Sequence, residues 1–232
     1  MKLYSMLLAS SLVILSCKEE NTTTKGDTNN LEVEATFTPT TEAEKVAYAN
    51  GLANWKDVKK LDFTFNVDRN GATVASRSWS WKPITNDVTM IAAGDTISYN
   101  RATVDSTSMQ ADQGFINDKY WLLAPYQLVW DEGTSIKVTD SVMSPLSRKQ
   151  TKKLTLLYGN EGGYTPGDAY DFYYGDDYVI TEWVFRKGNA TEPSMVTTFE
   201  GYKNIEGLSI ATDHKSEDGS FRLYFTDVNV IK

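Results

Sequence analysis

The sequence predicts a mainly β domain of the α+β class, with few helices. Three observations carry this prediction. Apolar and polar residues alternate through much of the chain beyond residue 60, turn-forming residues separate the alternating segments, and helical spacing is confined to two regions. The chain has 232 residues, of which 41% are hydrophobic, and one Cys. It is therefore long enough for a substantial core, and that core forms without an internal disulfide.

The first 16 residues predict an export signal peptide. Lys2 precedes the apolar run Met6–Leu15, which is too short to span a bilayer as a helix. The run ends in Leu15-Ser16-Cys17, which resembles the bacterial lipobox, whose Cys is acylated after the signal. Two or more acyl chains anchor a protein stably, at about 0.8 kcal/mol per buried methylene. We expect Cys17 to be lipidated rather than buried in an uncleaved helix, because the sequence turns polar directly after it.

Residues 17–38 are predicted to be the lipidated Cys and a flexible tether, followed by a folded domain over 39–232. Lys18–Asn30 contains no apolar side chain, so it cannot bury enough surface to offset chain entropy. Lys18-Glu19-Glu20 is also similar to the signal that some Bacteroidota lipoproteins carry for surface display. We expect an envelope protein of a Gram-negative bacterium, anchored in the outer membrane through its lipid, on the periplasmic or the cell-surface side.

The domain begins with a helix and a hairpin. Capping residues around Thr41, followed by apolar residues at helical spacing, predict a short helix over 41–54. Strict alternation over 61–67 predicts a half-buried strand. Asn70-Gly71 is the strongest hairpin signal in the chain, and it joins this strand to a partner over 73–81.

Most of the remaining chain predicts an antiparallel meander. Further strands are predicted at 87–93, 95–101, 134–142, 153–159, 168–174, 178–187, 195–203, 205–212 and 220–231. The segment 108–130 interrupts this rhythm. It predicts helical pieces at 110–116 and 120–123, with Pro125 limiting any continuation.

A sheet of this size closes as a sandwich or as a curved sheet whose concave face is covered by helices. The layout over residues 45–232 resembles the lipoprotein-localisation-factor superfamily (LolA, LolB and related lipid-carrying lipoproteins). The similar features are an opening helix before 61–67, the strand with Trp79 and Trp81, a mid-chain lid segment, and the C-terminal series with Pro166-Gly167-Asp168 and Gly201-Tyr202. The resemblance implies a single curved antiparallel sheet, a half-barrel, and the turn signals indicate about ten or eleven strands.

The aromatic residues lead to two functional hypotheses. The chain has 6 Trp, 9 Phe and 13 Tyr, which fit either an ordinary core or the lining of a cavity. The first hypothesis is binding or transfer of a hydrophobic ligand, such as a lipid or acyl chain, in the concave face; its candidate lining residues are Trp79, Trp81, Trp121, Leu122, Trp183 and Phe185. The second is a surface interaction or glycan-binding module without a cavity, in which Tyr170, Phe172 and Tyr174 form an exposed stripe.

The sequence offers little for catalysis, metal or cofactor binding. His214 is the only His and lies in a hydrophilic segment predicted as a surface turn. A Ser-His-Asp triad would need this residue, but the sequence contains no Gly-x-Ser-x-Gly nucleophile motif. The pairs Asp131-Glu132 and Asp176-Asp177 abut Gly in turn-like contexts, where neighbouring side chains diverge. A net charge of −8 disfavours nucleic acid as a partner. We therefore expect a non-enzymatic protein with no cofactor, no metal site and no nucleic-acid partner.

Overall fold

The alternating segment around Phe63 forms a central strand of the sheet. The structure, a computed structural model, describes residues 37–161 and 163–232. The predicted signal peptide, Cys17 and the tether up to residue 36 lie outside the described residues, so their assignment stays a prediction. Thr38–Lys232 is one compact unit.

Within the described residues the chain forms thirteen strands, and every pairing between them is antiparallel. In chain order they are β1 Lys60–Arg69, β2 Ala72–Lys82, β3 Asp87–Ala92, β4 Asp95–Asn100, β5 Thr134–Met143, β6 Gln150–Tyr158, β7 Ala169–Tyr174, β8 Ile180–Arg186, β9 Met195–Thr198, β10 Lys203–Ile205, β11 Leu208–Ile210, β12 Asp213–Lys215 and β13 Phe221–Ile231.

Eleven of the described strands follow one another around a curved, unclosed sheet. One part has the order β12-β13-β1-β2-β3-β4, and the other has the order β5-β6-β7-β8-β9. Their edges meet where Glu200, just after β9, bridges to Asp213 at the start of β12. The remaining two strands, β10 and β11, form a separate hairpin. The predicted mainly β half-barrel of about ten or eleven antiparallel strands is confirmed.

The β1–β2 hairpin fixes the side chains that face inward. Asn70 and Gly71 both have positive φ, 50° and 78°, as a tight two-residue hairpin turn requires. The register places Phe63 opposite Trp79. Because side chains alternate along a strand, the odd-numbered apolar residues of β1 all point to the concave face.

Two helices cover that face. The first, α1 (Glu42–Ala49), begins with a capping box in which the Thr41 hydroxyl accepts from Glu44 N and the Glu44 carboxylate accepts from Thr41 N. It is followed by a 3₁₀ helix, Leu52–Asp57. The predicted helix over 41–54 is therefore an α-helix and a separate 3₁₀ helix, because Gly51 between them has φ 92°.

The second helix, α2 (Met109–Trp130), is longer than predicted. Pro125 was expected to limit it, yet all 22 residues are helical apart from a kink at Leu123, with φ −118° and ψ 24°. Proline removes a backbone donor and kinks a helix. The helix nevertheless continues here, and residues 121–128 are buried without interruption, so packing against the sheet on several sides offsets the lost hydrogen bond.

The two ends of the concave face are covered differently. At one end, α1, the 3₁₀ helix and the last turns of α2 pack onto the sheet, and an aromatic cluster of Trp55, Trp81, Tyr126 and Trp130 fills the space, with ring centroids 4.8–5.9 Å apart in the contacting pairs. The Tyr126 hydroxyl donates to Asn50 O at 2.6 Å and ties α2 to the end of α1. We call this the filled end. At the other end only the N-terminal half of α2 covers the sheet.

Two expectations about exposure are wrong. His214 does not lie in a surface turn: it is the middle residue of β12 and is 0% exposed, with its ring 4.2 Å from that of Phe199. The flanking polar residues concealed this, because in a strand they alternate outward while His214 points inward. Likewise the side chains of Tyr170, Phe172 and Tyr174 are buried in β7, so they form no exposed stripe.

In the described part of the chain no helix is both long enough and apolar enough to cross a membrane.

Candidate functional site

An open cavity lies beneath the N-terminal half of α2, at the end of the concave face opposite the filled end. Its volume is about 720 Å³, within the range of small-molecule binding sites. We call it the apolar cavity. It is lined by Phe65, Val67, Arg69, Val74, Ala75, Arg77, Gln113, Ile116, Asn117, Tyr120, Trp121, Tyr164, Thr165, Tyr170, Trp183, Phe185, Met195, Phe221 and Leu223.

One wall continues the inward-facing rows of the central strands. Phe65 and Val67 follow Phe63 at the two-residue spacing of β1, and the register places Val67 opposite Leu223 of β13. The row that packs the filled end therefore extends without a break into the apolar cavity. The row is apolar from Leu61 to Val67 and ends at the cavity mouth with Arg69.

The opposite wall is a cluster of aromatic rings from β7, β8 and α2. Trp121 and Trp183 have centroids 4.1 Å apart, Tyr120 and Tyr170 4.8 Å, and Tyr170 and Phe185 5.1 Å. Such contacts fix the rings in place and present a broad, rigid apolar surface. The wall is preformed, so an apolar guest would meet it without rearrangement of the sheet.

The structure separates the six predicted lining residues into two groups. Trp121, Trp183 and Phe185 line the apolar cavity, whereas Trp79, Trp81 and Leu122 are not among its lining residues. Trp79 and Trp81 pack edge-on against Phe115, each with its centroid 5.5 Å from the phenyl ring, and Leu122 is buried in the same core. Trp79 and Trp81 are thus covered by α2, and Leu122 is a buried residue of α2 itself. The ligand-binding role of the first group stays a prediction.

Sequence reasoning missed Tyr120, Tyr170 and the cavity residues of β13. Tyr170 was assigned to a surface stripe, and Tyr120 to a lid segment without a specific role. A usable signal was present for Tyr170: in β7 it lies two residues before Phe172 on the same face, and a strand apolar on that face needs a core to meet it.

The charged group deepest in the apolar cavity is already paired. Arg77 donates from Nε and Nη2 to the Asp118 carboxylate, both at 2.7 Å, and Asp118 is 0% exposed. The same carboxylate accepts from the indole N–H of Trp79 at 2.8 Å and from the Asn117 amide at 3.0 Å. The hydrogen bond to Asp118 raises the pKa of Arg77. This ion pair neutralises the cation locally, and the wall stays compatible with an apolar guest.

The mouth of the apolar cavity carries exposed side chains. Arg69, Val74 and Tyr164 line it and are exposed to solvent. Tyr164 lies in the loop between β6 and β7, and its hydroxyl donates to Asp112 of α2 at 2.8 Å. A ligand could therefore enter along this loop without unpairing a strand.

Two polar atoms of the aromatic wall make no hydrogen bond of good geometry to the described residues. They are the indole N–H of Trp183 and the hydroxyl of Tyr120, both buried; the Tyr158 hydroxyl lies close to that of Tyr120. Buried donors are nearly always satisfied in folded proteins. Their positions therefore mark places where an acceptor from outside the described chain would be stabilised.

A smaller pocket adjoins the apolar cavity. It has a volume of about 360 Å³ and shares Ile116, Tyr120, Tyr164 and Thr165 with the larger space. Its other side chains are largely polar and include Arg101, Lys119, Gln127, Asp131, Glu132, Tyr158 and Glu161. We call it the Lys119 pocket.

The described residues contain no cluster of three or more His, Cys, Asp or Glu side chains that could hold a metal ion. His214 lies between Phe199 and Trp121, and its Nδ1 is 3.1 Å from Thr198 O. Desolvation lowers the pKa of His214 to about 4, so the ring is neutral at pH 7. With Nδ1 donating to a backbone carbonyl, the ring is a core residue rather than a general base beside a nucleophile.

Comparison with known proteins gives distant structural likenesses. No protein-family profile and no curated protein matches the sequence. A LolA superfamily protein from Nitrosomonas europaea is 8% identical over 83% of this chain and 95% of its own, with a TM-score of 0.49. The lipoprotein LppX of Mycobacterium tuberculosis (7% identity, 80% and 94% coverage, TM-score 0.26) and LprF of Mycobacterium bovis (9%, 83% and 95%, 0.28) are also similar. These likenesses assign no residue and no ligand to this chain.

Proposed function

We propose that this domain binds a hydrophobic ligand, such as a lipid or an acyl chain, in the apolar cavity, and that it acts as a carrier rather than an enzyme. The single observation that carries the proposal is a hollow of about 720 Å³ at one end of a concave face whose other end is filled. The hydrophobic core of a folded protein is normally close-packed and has no void of this size. A hollow of this size lined by aromatic and aliphatic side chains has the character of a ligand site.

The energetics favour a chain-like guest. Each methylene that leaves water for an apolar site contributes about 0.8 kcal/mol. The rings of Trp121, Trp183 and Phe185 supply the contact surface, Arg77 beside them is paired with Asp118, and the other lining cation, Arg69, lies at the exposed mouth. Because the mouth is open at Arg69 and Tyr164, loading and release need no disruption of the sheet, which suits transfer as well as storage.

A displacement assay tests the proposal. N-phenyl-1-naphthylamine, a fluorescent apolar probe, is bound to the delipidated protein and displaced by dodecanol. Ala75 lines the apolar cavity, and Ala75→Trp should fill it and weaken dodecanol binding at least tenfold. The matched control is Ile91→Trp, which adds the same ring at an exposed position of β3 outside the cavity.

Two results would overturn the proposal. One is failure of dodecanol to displace the probe, together with no apolar species in native mass spectra of freshly purified protein. The other is equal dodecanol binding by Ala75→Trp and the control.

The proposal includes the lipid anchor at Cys17, which would hold the carrier at the outer membrane. In a Gram-negative host, the full chain should incorporate labelled fatty acid and fractionate with the membrane, whereas Cys17→Ser should do neither. Fatty-acid incorporation by Cys17→Ser, or a soluble unlabelled wild-type chain, would contradict the anchor. Neither result bears on the cavity itself.

A further inference from the structure

The Lys119 pocket contains a buried cation without a carboxylate partner. Lys119 is 9% exposed, and its ammonium lies 5.7 Å and 5.8 Å from the ring centroids of Trp81 and Trp130. Its hydrogen-bond partner among the described residues is the amide oxygen of Gln127, at 3.2 Å in the orientation where the amide nitrogen also donates to Asp131 Oδ1 at 2.8 Å. An ammonium has three donors, so most of its capacity is unused.

We infer that the ligand of the apolar cavity is a single-chain amphiphile with a carboxylate head, a fatty acid, whose chain lies in the apolar cavity and whose carboxylate is held by Lys119 and Tyr120. The inference rests on the proposed function and specifies its ligand class.

The two spaces share a wall. Ile116 and Tyr120 of α2, with Tyr164 and Thr165 of the β6–β7 loop, line both of them. The inferred ligand crosses this wall between these side chains, with its alkyl chain in the apolar cavity and its terminal group in the Lys119 pocket. The junction joins an apolar compartment to a polar one, as an amphiphile requires.

Tyr120 supplies an independent observation at this junction. Its hydroxyl is buried and makes no hydrogen bond of good geometry within the described chain; the Tyr158 hydroxyl lies close to it but already donates to Asp131. Burial raises the pKa of Tyr120 well above its usual value, so the hydroxyl stays protonated and can donate. A carboxylate has two acceptor oxygens, enough for both the ammonium and the hydroxyl.

The electrostatics of Lys119 favour an anion from the ligand. Desolvation lowers the pKa of Lys119 to about 8, opposed mainly by the charge of Asp131. The side chain is therefore still mostly protonated at pH 7. Asp131 offsets only part of the cost of burying this charge, and a ligand carboxylate would offset more of it. An uncharged ligand would leave it in place.

The acidic residues of the pocket favour a carboxylate over a more highly charged head. Asp131 is occupied by the Tyr158 hydroxyl, which donates to its Oδ2, and by Gln127. Glu132 and Glu161 are exposed on the outer side of the pocket. Arg101, the second cation, is already paired with Asp112 at 2.8 Å. One free cation beside several carboxylates suits a monoanion.

The experiment compares three head groups on the same twelve-carbon alkyl chain. Dodecanoate, dodecanol and dodecyl phosphate displace N-phenyl-1-naphthylamine from the full chain at pH 7. The wild type should bind dodecanoate at least tenfold more tightly than dodecanol, and more tightly than dodecyl phosphate. Lys119→Met keeps the apolar stem and should lose this preference through weaker dodecanoate binding alone. Lys137→Met, at an exposed position of β5, is the control and should match the wild type.

Each outcome separates the inference from the proposed function. If the wild type binds dodecanol and dodecanoate equally, the inferred carboxylate head group is wrong, while the proposed binding of an apolar ligand in the cavity still stands. Tighter binding of dodecyl phosphate overturns the choice of carboxylate. An unchanged preference in Lys119→Met overturns the role of Lys119. If no dodecyl compound binds, the proposed function itself fails. The wild-type comparison of heads needs no variant, so a Lys119→Met chain that does not fold leaves the test intact.

Discussion

The filled end and the hollow end of the half-barrel use the same strands. In β1, Phe63 packs in the core, while Phe65 and Val67, further along the same face, line the apolar cavity. The strand composition does not distinguish them. The cover does: at one end Trp55 of the 3₁₀ helix packs between Trp81 of the sheet and the last turns of α2, whereas at the other end the helical residues that line the hollow all come from Gln113–Trp121 of α2. The helices, rather than the strands, therefore decide where the sheet is hollow.

The largest expected difference between the two ends is the loss of stability when one phenylalanine is truncated at each end. Phe63→Ala should lower the free energy of unfolding by about 3–5 kcal/mol, because it leaves a void in a close-packed core. Phe221→Ala, at the wall of the apolar cavity, should cost about 1 kcal/mol, because that side chain is only half-buried and already borders empty space. Urea denaturation of both variants measures the difference. Equal losses would mean that the hollow end is packed as tightly as the filled end.

The strands of this comparison were predictable, but the cover was not. Alternation over 61–67 and the Asn70-Gly71 turn gave β1, its partner and the inward face, because these signals are local. Trp79 and Trp183 both face inward. The sequence around each of them does not show that α2 covers Trp79 and leaves Trp183 beside the hollow. That outcome depends on where a 22-residue helix rests on a distant sheet.

The candidate site was only partly predictable for a similar reason. Trp121, Trp183 and Phe185 were placed from their aromatic character, whereas Lys119 was passed over. It is a single cation in the helical segment Phe115–Leu128, most of which is buried. A buried cation in such a segment is a usable signal, since charges are rarely buried without a partner. His214 was misplaced because a three-residue strand of polar sequence resembles a turn.

The next largest effect should appear at His214, on the boundary between the two ends. Its ring contacts Trp121 of the apolar cavity and Phe225, which packs on Phe63. Burial lowers its pKa from 6.5 to about 4, so the folded state prefers the neutral ring. As the pH falls from about 6.5 to about 4, the unfolded chain binds a proton that the folded chain refuses, and stability is lost, by roughly 3 kcal/mol in total.

His214→Asn isolates this effect. The amide retains a donor toward Thr198 O but does not titrate. The variant should be less stable at pH 8, because the ring is lost, and its stability should fall less steeply between pH 6.5 and 4. The measurement is urea denaturation of both proteins at several pH values. Parallel pH profiles would show that the ring is protonated in the folded state and that this boundary admits water.

Enlarging one buried alanine at the filled end and one alanine at the hollow end should change stability by a smaller amount. Ala124 is 0% exposed at the kink of α2, and Ala124→Leu should cost about 1–3 kcal/mol through overpacking. Ala75→Leu adds the same atoms to the wall of the apolar cavity, where space exists, and should leave stability within about 0.5 kcal/mol. Thermal and urea unfolding check both. A large loss in Ala75→Leu would mean that the hollow closes in solution.

The smallest expected effect concerns the cap of α1, which lies at the filled end. Thr41→Ala removes the hydroxyl that accepts from Glu44 N at 3.2 Å, and should cost about 1 kcal/mol, whereas Thr41→Ser keeps the oxygen and should remain close to wild type. Neither variant should change dodecanol binding, because α1 contributes no side chain to the apolar cavity. Weaker dodecanol binding in Thr41→Ala but not in Thr41→Ser would show that loosening the cover of the filled end is transmitted to the hollow one. The two ends would then be coupled compartments rather than independent consequences of where the helices lie.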